Sequence, residues 1–432
     1  MTVIGIDDTD SRERGMCTTY AASRLAGEIE AAGGDVERVL LVRLNPAVEH
    51  KTRGNAALAV HADVDPDRGL DIARDLIAES AEVDDPRTNP GLVVAEHDPD
   101  DAPDAVAAFA REAVRDHHEI ADAEALIERA GYESAGWKNA RGKIGALAAV
   151  GAWAALEEWT YEYVSYRERA RRGTSRDVDL DSAFAAADER YPEAWDTVDR
   201  VEGQAVCVPR APGPILYGIR GDDADAVRAV AAGIDSEPVE SAQLFVTNQG
   251  TDAHLRDAAL GAVEDGRSYR VDGTVVEPPE TREGGHVFLT LADGNESDGD
   301  DSDADVRLDC AAFEPTKRFR DRVRGLRVGD RITACGEIGD GTLKLEKFAV
   351  RELNGVELAT PDCPDCGRSM KSAGADQGYR CRDCGTSHGG KVERRIDRDL
   401  EDGWYEVPPC ARRHVAKPLI RGGFDAPIHP ER

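Results

Sequence analysis

Apolar runs alternate with amphipathic segments over the first 130 residues of the chain. The runs TVIGI, VERVLLVRL, NAALAVHADV and GLVVAEH have the length and composition of strands. Between them, TTYAASRLAGEIEAAGG, GLDIARDLIAESAE and PDAVAAFAREAV carry apolar residues at helical spacing. Thr18 or Thr19 is a suitable N-cap for the first helix, and Gly33 and Gly34 are a suitable stop. The pattern predicts an α/β layer over residues 1–130.

A second segment, residues 131–258, mixes helices and strands in a different order. It begins with a glycine-punctuated apolar helix, WKNARGKIGALAAVGAWAAL, and continues with a strand, TYEYVSYRER. GPILYGIRGDDADAVRAVAAGI then predicts strand, loop and helix, and SAQLFVTNQ predicts a further strand. This order predicts a small α+β sandwich of the ferredoxin-like type.

From residue 265 to 355 the chain consists of short strands with polar turns. The strands are YRVDGTVVEPP, GHVFLTLAD, DVRLDCAAFEP and DRITACGEIGDGTLKLEKFAVREL, with one helix-like insert, TKRFRDRVRGL. This pattern is typical of a small barrel of the OB-fold type. The acidic run DGNESDGDDSDAD at 293–305 interrupts it, and we expect a solvated, disordered loop there.

Two CxxC pairs, CPDC at 363–366 and CRDC at 381–384, predict a zinc ribbon over residues 359–388. Each pair directs two thiolates at one ion, and two pairs complete a tetrahedron. Since four cysteines leave no open position, the zinc is expected to be structural. Residues 389–432 are a Pro/Gly/Arg-rich C-terminal tail. The predicted zinc ligands are Cys363, Cys366, Cys381 and Cys384.

The chain is strongly acidic, with 85 Asp and Glu against 54 Lys and Arg and a formal net charge of −31. Only nine of the basic residues are lysines. This composition is typical of proteins that work in molar salt, so the total charge reports the solvent and local basic islands carry more information. The sequence has no transmembrane run and no signal-peptide pattern, so we expect a cytoplasmic protein that does not contact membranes.

Two basic islands stand out from the acidic background. Residues 363–432 carry 13 basic and 11 acidic side chains, and 317–327 carry six basic and one acidic. Beside a barrel and a zinc ribbon, such islands indicate contact with RNA, although a salt-bridged helix face is the alternative for 317–327. The candidate RNA contacts in this island are Lys317, Arg318 and Arg320.

Three carboxylates, Asp7, Asp8 and Asp10, follow the first predicted strand. Ligands usually bind at the carboxyl ends of strands in an α/β layer, and Mg²⁺ takes one or two carboxylates plus phosphate oxygens. The chain then turns through Gly15 into a helix at Thr18, whose backbone amides would face an anion. The stretch therefore predicts a metal and phosphate site, with an acidic turn as the alternative. No Walker motif occurs in the chain.

Further polar motifs support a phosphate site. KTRGN at 51–55 places two basic side chains on a loop that enters a strand, where they would neutralise transferring phosphates. WKNARGKIGALAA repeats the theme, and TNQGTDAH is dense in short polar side chains. A solvated loop or a polar turn is the alternative for each. The candidate phosphate-binding residues are Gly15, Thr19, Lys51, Arg53, Gly54 and Asn55, and the candidate substrate or RNA contacts are Lys138, Arg141, Asn248 and Gln249.

These motifs occur together and in order in one known family. GIDDTDS, GMCTTY, KTRGN, WKNARGKIGALAAVG, ILYGIRG, TNQGTDAHL and the terminal CxxC pairs resemble archaeal tRNA(Ile) 2-agmatinylcytidine synthetase over nearly the whole chain. The resemblance implies four domains: a kinase-like catalytic domain, a ferredoxin-like domain, an OB-fold and a zinc ribbon. It also implies ATP, Mg²⁺ and Zn²⁺ as cofactors, and agmatine and an isoleucine tRNA with a CAU anticodon as partners. No motif indicates an obligate protein partner.

The resemblance also implies the reaction. The family replaces the C2 oxygen of the wobble cytidine with agmatine, using ATP and releasing AMP and phosphates, so that the tRNA reads AUA. Asp7, Asp8 and Asp10 would then hold Mg²⁺ on ATP, and Lys51 and Arg53 would stabilise the transferring oxygens. The family autophosphorylates a threonine in the matching CTT motif, which implies Thr18, with Thr19 as the close alternative. A carboxylate base for the agmatine amine is expected.

Two other functions remain open from the residues alone. A non-catalytic protein that binds single-stranded RNA or DNA could be built from a barrel and a zinc ribbon, but it would leave DDTD and KTRGN without a role. A kinase for a small molecule, with a separate RNA-binding half, is the third hypothesis.

Overall fold

The computed structural model describes residues 1–13, 15–51, 54–293 and 306–432. Arg53 of the KTRGN motif and residues 294–305 of the acidic run lie outside the described residues. The first elements along the chain are β1 (Thr2–Asp7), α1 (Thr18–Ala31), β2 (Asp35–Arg43), β3 (Ala56–Asp63), α2 (Pro66–Ser80), β4 (Gly91–Glu96), α3 (Asp104–Ala113), α4 (Ile120–Ala130), β5 (Glu133–Gly136) and α5 (Lys143–Ala155).

The second group of elements runs to residue 247. It consists of β6 (Thr160–Arg167), α6 (Leu180–Arg190), β7 (Ala194–Trp195), β8 (Val198–Asp199), β9 (Gln204–Ala205), β10 (Ile215–Gly221), α7 (Ala224–Ala232) and β11 (Val239–Thr247). The third group is β12 (Leu255–Asp257), β13 (Ser268–Thr281), β14 (Val287–Ala292), β15 (Arg307–Ala312), α8 (Phe319–Arg324), β16 (Arg331–Gly339) and β17 (Thr342–Glu352).

The C-terminal elements are short. They are β18 (Val356–Ala359), β19 (Lys371–Ser372), β20 (Tyr379–Arg380), β21 (Ser387–His388), β22 (Val392–Arg395), β23 (Gly403–Glu406) and β24 (Ile428–His429). One-turn 3₁₀ helices occupy Pro99–Asp101, Arg169–Arg171, Leu260–Ala262, Glu283–Gly285, Glu314–Thr316, Pro409–Ala411 and Leu419–Arg421.

One continuous sheet runs through the first two groups of elements. Its order is β5-β4-β1-β3-β2-β11-β6-β10-β7. Neighbours among β1 to β5 are antiparallel, and the two groups join where β11 runs parallel to β2, with Val246 opposite Leu40. The nine-stranded sheet contains strands from both of the segments predicted from the sequence, 1–130 and 131–258. The boundary between residues 130 and 131 therefore stays a prediction.

Successive side chains of β1 point to opposite faces of the sheet, so the strand contributes to two hydrophobic cores. Ile4 and Ile6 pack with α1 and α2 on one face, and Val3 packs with α3, α4 and α5 on the other. Helix α5 lies unusually close to the sheet, since a Cβ built at Gly5 would lie 2.1 Å from the carbonyl oxygen of Ala146. Helix α5, which the sequence predicts as the start of segment 131–258, therefore packs against elements of segment 1–130.

The third group closes into a five-stranded barrel. Strand β13 pairs with β14, β14 with β15, β15 with β17, β17 with β16, and β16 returns to β13. Helix α8 lies between β15 and β16 along the chain. Phe319 and Val323 of α8 are buried in the barrel core, which also contains Phe348. The overall fold is mixed α/β with a β-barrel and a ribbon, as predicted at that level.

The last residues extend the barrel sheet and contact the rest of the protein. Strand β23 pairs with β17, and β24 pairs with β23. Arg412 makes buried ion pairs with Asp196 of the second group and Glu406 of β23. Residues 389–432, which the sequence predicted as a tail, therefore contain ordered structure that joins the barrel to the nine-stranded sheet.

Two further observations concern local expectations. The N-cap of α1 is Cys17 rather than Thr18 or Thr19, which corrects the prediction. Cys17 is the last extended residue before α1, and the Thr18 hydroxyl is hydrogen-bonded to that of Thr9 instead of capping the helix.

Among the described residues, no helix has the length and apolar content needed to span a membrane.

Replacing Gly5 by alanine should destabilise the protein. The added methyl meets the backbone of α5, so strand and helix must move apart, and we expect a loss of about 1–3 kcal/mol in the free energy of unfolding. Denaturant unfolding followed by circular dichroism measures it. Gly27→Ala in α1 is the control, because a Cβ there meets nothing within 4 Å. Equal midpoints for the two variants would contradict the close packing of α5.

Candidate active site

The loops at one edge of the nine-stranded sheet face a cleft of about 1070 Å³. Strand β1 ends there at Asp7, opposite Gly91, the first residue of β4. Strand β3 begins at the same edge because it too is antiparallel to β1. The register therefore brings the acidic motif beside KTRGN, although the two are distant in sequence. The predicted site residues that line the cleft are Asp7, Asp8, Asp10, Thr18, Thr19, Lys51, Gly54, Asn55 and Arg141.

Arg141 connects three of these loops. Its Nη2 donates to Asp8 Oδ2 at 2.7 Å, and to the carbonyl oxygens of His50 at 3.1 Å and Arg87 at 2.7 Å. Asp8 itself has φ of 58°, a left-handed conformation that is uncommon for residues other than glycine. Asp7 Oδ1 accepts a hydrogen bond from the Asp8 amide at 2.7 Å. The two carboxylates are thus held next to each other at the end of β1.

Burial perturbs both carboxylates. It raises the pKa of Asp7 well above its usual value, and the neighbouring Asp8 raises it further. Burial also raises the pKa of Asp8 to about 6, although the guanidinium of Arg141 acts in the opposite direction. A pair of carboxylates that disfavours its own second negative charge is a site where a cation binds favourably.

The first turn of α5 closes the site behind Asp7. A Cβ built at Gly145 would lie 2.1 Å from Asp7 Oδ2, and one at Gly142 would lie 2.8 Å from the Asp7 carbonyl oxygen. Glycine at 145 leaves room for the Asp7 carboxylate, and glycine at 142 leaves room for the backbone of Asp7 and Gly91. The N-terminal end of a helix carries a partial positive charge, so α5 favours a negative group here.

The two threonines of the CTT motif begin helix α1. Thr9 Oγ1 donates to Thr18 Oγ1 at 3.1 Å, and Cys17 Sγ lies 3.0 Å from Thr19 Oγ1. Gly15 precedes them with φ of 80° and does not line the cleft. A Cβ built on it would lie 3.1 Å from the amide of Gly213, so the turn rests against the second group of elements.

The described residues of KTRGN face the barrel across the cleft mouth. Burial lowers the pKa of Lys51, while Glu337 on β16 acts in the opposite direction. Asn55 Nδ2 donates to the carbonyl oxygen of Asn45 at 2.9 Å, which fixes the end of the loop. Lys51 therefore lies where this edge of the sheet and the barrel meet.

Three other candidate contacts have internal partners and do not line the cleft. Lys138 Nζ donates to the carbonyl oxygens of Asp85 at 2.6 Å and Thr88 at 2.7 Å. Asn248 is buried and bonds both backbone groups of Arg43, at 2.7 and 3.0 Å. Gln249 is fully buried, and its Oε1 accepts a hydrogen bond from Arg43 Nε at 2.8 Å. These side chains connect elements of the scaffold, and the structure does not bring them to the surface that a substrate would contact.

The basic island beside α8 is also internally bonded. Arg318 donates to Asp199 at 3.1 Å and to Glu431, and it thereby joins the barrel to the second group. Arg320 donates to the carbonyl oxygen of Gly285 at 2.6 Å. Lys317 is half-buried. This arrangement agrees with the salt-bridged face that was the alternative for this island.

The charged or titratable residues that line the cleft and that sequence reasoning did not single out include Arg43, Glu162, Arg220 and His414. They come from β2, β6, β10 and the C-terminal segment. Arg220 lies in the quoted ILYGIRG motif, which was a signal for it. Arg43 and Glu162 sit in strand-like runs whose other residues predict only a core.

The four ribbon cysteines form a compact thiol cluster. The four Sγ atoms all lie within 4.8 Å of one another; they belong to Cys363, Cys366, Cys381 and Cys384. The amide of Gly367 donates to the carbonyl oxygen of Cys363 at 2.8 Å, and that of Gly385 to Cys381 at 3.0 Å, so each CxxC pair is a tight turn. Four thiolates at this spacing fit a tetrahedral Zn²⁺ with no open position.

Family models match most of the chain. They are the TiaS TCKD domain over residues 3–139, the TiaS FLD domain over 140–254 and the TiaS C-terminal zinc ribbon domain over 360–400. The solved structures similar to it include the complex of TiaS with an isoleucine tRNA and ATP, with a TM-score of 0.89, 40% identity, and 100% of this chain and 99% of that chain covered. The complex of TiaS with the same tRNA, AMPCPP and agmatine has a TM-score of 0.86, 38% identity and the same coverage.

Relatives of known name are similar over their full length. The isoleucine tRNA 2-agmatinylcytidine synthetase TiaS of Haloquadratum walsbyi is 57% identical, with 100% of both chains covered. The protein of the same name from Methanosarcina acetivorans is 46% identical, also with 100% of both chains covered. With these matches, the chain belongs to the TiaS family of isoleucine tRNA 2-agmatinylcytidine synthetases.

Proposed function

We infer that this chain uses ATP to join agmatine to C2 of the wobble cytidine of an isoleucine tRNA, so that the tRNA reads AUA. The observation that carries the inference is the cleft at the end of β1, where Asp7, Asp8, Thr18 and Lys51 meet. It occurs in a chain that is similar from end to end to a protein solved with an isoleucine tRNA, AMPCPP and agmatine.

The chemistry requires activation of the base oxygen. The C2 oxygen of cytosine is a very poor leaving group, and transfer of one phosphoryl group from ATP would convert it into a phosphate ester. The second phosphoryl group that separates ATP from AMP would be transferred to water and leave as phosphate. The agmatine amine, after losing a proton, would then form the C2–N bond while the C2–O bond breaks and phosphate leaves. Phosphoryl transfer depends mainly on positioning and charge neutralisation, which suits a cleft with a carboxylate pair and basic loops.

Asp7 and Asp8 fit a Mg²⁺ ion, with Asp10 beside them. Two adjacent carboxylates with raised pKa values are hard oxygen donors whose mutual repulsion a cation would relieve. Such an ion would neutralise ATP phosphates. Lys51 and Arg53, with Gly54 and Asn55, would complete the phosphate loop on the opposite side.

We propose Thr18 as the residue that is autophosphorylated, with Thr19 as the alternative. Both hydroxyls line the cleft at the first turn of α1. Gly15 would set the turn that leads into this helix. The amides at the start of α1 would stabilise a phosphoryl group there.

The domains would divide the work. We propose a kinase-like catalytic unit for the first group of elements and a ferredoxin-like unit for the second. For the barrel we propose an OB-fold, because its closed ring of strands and its helix α8 are typical of that fold. The barrel and ribbon would grip the tRNA, and the wobble base would leave its stack to reach the cleft.

Incubation with labelled agmatine, ATP and a transcript of the isoleucine tRNA with a CAU anticodon tests the reaction. We expect label in the tRNA only when all components are present, with ATP converted to AMP. A transcript in which the wobble cytidine is replaced by uridine is the matched control and should stay unlabelled. If no label enters the wobble-cytidine transcript, the chain is not this ligase.

Asp8→Asn should reduce agmatine incorporation at least about a hundredfold, because it removes a carboxylate from the proposed cation site. The rate of incorporation at saturating substrates is the measurement. Asp67→Asn, an exposed position in the first turn of α2, is the control and should react like the wild type. A fully active Asp8→Asn enzyme would contradict the metal role.

Removing one ribbon thiol should affect tRNA binding more than nucleotide binding. We expect about one zinc ion per wild-type chain, and Cys384→Ser should lose it because three thiolates bind zinc much more weakly. Metal analysis and tRNA affinity are the measurements, and ATP affinity should be unchanged. Cys410→Ser, outside the ribbon, should keep its zinc. Full tRNA affinity without zinc would count against the role of the ribbon.

A further inference from the structure

Two arginines and a glutamate that are largely removed from solvent line the same cleft as Asp7 and Asp8. Arg43 at the end of β2 and Arg220 on β10 flank Glu162 on β6. We propose that Arg43 and Arg220, together with His414 from the C-terminal segment, form a phosphoryl-binding site separate from the Asp7–Asp8 pair. The proposal deepens the proposed function and rests on it for the identity of the substrate.

The geometry leaves guanidinium groups available. Glu162 Oε2 lies 3.6 Å from Arg43 Nη2, and Glu162 Oε1 lies 3.4 Å from Arg220 Nε. Gln249 holds the array from behind, since its Oε1 accepts from Arg43 Nε at 2.8 Å and its Nε2 donates to Glu162 Oε2 at 3.0 Å. Arg43 is therefore fixed through Nε, its Nη2 lies near Glu162, and the residue lines the cleft.

The array holds two guanidinium groups and one carboxylate at ion-pair distance. Each side chain is largely removed from solvent, with exposures of 13% for both arginines and 7% for Glu162. The next carboxylate that acts on Arg220 is that of Asp196, which is already paired with Arg412. An anion entering the cleft would add a further acceptor for guanidinium donors that Glu162 meets only at 3.4 and 3.6 Å.

The titration behaviour of the neighbouring groups agrees with a positive site. Burial lowers the pKa of Arg43, and the charge of Arg220 lowers it further, against the opposing effects of Glu162 and Cys17. Desolvation in the cleft, followed by Arg220 and Arg43, lowers the pKa of His414 well below its usual value, although part of the residue is exposed. His414 is therefore neutral at pH 7, and its ring can donate one hydrogen bond without adding charge.

The C-terminal segment holds His414 in this position. Arg412 pairs with Asp196 and Glu406 before it, and the carbonyl oxygen of His414 accepts from the Gly250 amide at 2.9 Å. Arg413 pairs with Glu337 and Glu346 of the barrel strands.

The KTRGN loop opens onto the same site. A Cβ built at Gly54 would lie 3.0 Å from Arg43 Nη1 and 3.7 Å from His414 Cδ2. Any side chain there would narrow the entrance to the arginines. The loop that we assign to ATP phosphates on one side thus borders the arginine array on the other.

A phosphoryl group suits a pair of arginines. A single guanidinium matches carboxylate and phosphate oxygens alike, but two arginines can together bind more than two oxygens, and a phosphoryl group offers them. The group could be carried by the nucleotide, by the RNA backbone or by a phosphorylated base. All three sources present the same chemistry to the array.

Binding of inorganic pyrophosphate without Mg²⁺ tests the site directly. Without a cation the Asp7–Asp8 pair repels the probe, and the difference in affinity between the wild type and the arginine variants, measured by calorimetry, reports the array. We expect Arg220→Gln and Arg43→Gln each to weaken binding at least tenfold, and Arg220→Lys to weaken it less because it keeps the charge but loses the fork. Arg38→Gln is the matched control, because Arg38 lies on the same strand, is 22% exposed and is paired with Glu37, but does not line the cleft.

Three further measurements identify the source of the group. If Arg220→Gln binds Mg–ATP more weakly, the bound phosphoryl group belongs to the nucleotide. If the same variant binds tRNA more weakly without ATP, the group belongs to the RNA backbone. Loss of phosphate transfer from γ-labelled ATP to tRNA in the absence of agmatine, with both affinities retained, assigns it to the phosphorylated base. Each result supports a phosphoryl site at these residues.

Unchanged pyrophosphate binding in both folded variants, or no binding by the wild type, overturns the proposal. Circular dichroism shows whether each variant is folded. If Arg43→Gln does not fold, pyrophosphate binding by Arg220→Gln alone decides the test. This failure differs from failure of the proposed function. If the wild type does not transfer agmatine but the arginine variants lose pyrophosphate binding, the anion site stands and the ligase assignment falls.

Discussion

The direct contact of α5 with β1 and β4 is the constraint on which the cleft depends. No side chain separates them at Gly5, Gly91 and Gly142, where an added Cβ would lie between 2.0 and 2.4 Å from backbone atoms of the facing element. This closeness brings the N-terminal end of α5 against Asp7. It also fixes the preceding loop, so that Arg141 reaches Asp8. The carboxylate pair is therefore positioned by backbone packing, which also sets the side-chain contact between Arg141 and Asp8.

Buried ion pairs provide the second constraint, because they fix the barrel against the nine-stranded sheet. Arg412 joins Asp196 to Glu406, and Lys347 on β17 pairs with Asp252. Breaking such a pair leaves an uncompensated buried charge, which is costly, and burial limits screening by salt. A chain suited to molar salt can therefore rely on these contacts where it could not rely on exposed pairs. They also determine where His414 meets the cleft.

Periodicity predicted β1 to β4 and α1 to α3, and spacing predicted the thiol cluster, because each depends on local sequence. Helices α4 and α6 and the short strand β5 were not predicted from the sequence, since their apolar stripes are narrow or interrupted by charge. The roles of Asn248 and Gln249 are non-local. Their partner, Arg43, lies about 205 residues earlier in the chain, and a polar turn gives no sign of such a contact.

The same reasoning explains why charge on the surface is a poor guide to this protein's ligands. At about 1 M salt the screening length is about 3 Å, so exposed basic residues attract a polyanion weakly. Arg318 and Arg320 of the predicted basic island are already bonded to acidic or carbonyl groups of the protein. Arg43 and Arg220, in contrast, lie inside a cleft where solvent screens them less. Recognition of phosphate in such a protein is therefore expected in its interior, where a carboxylate pair and an arginine array face one enclosed volume.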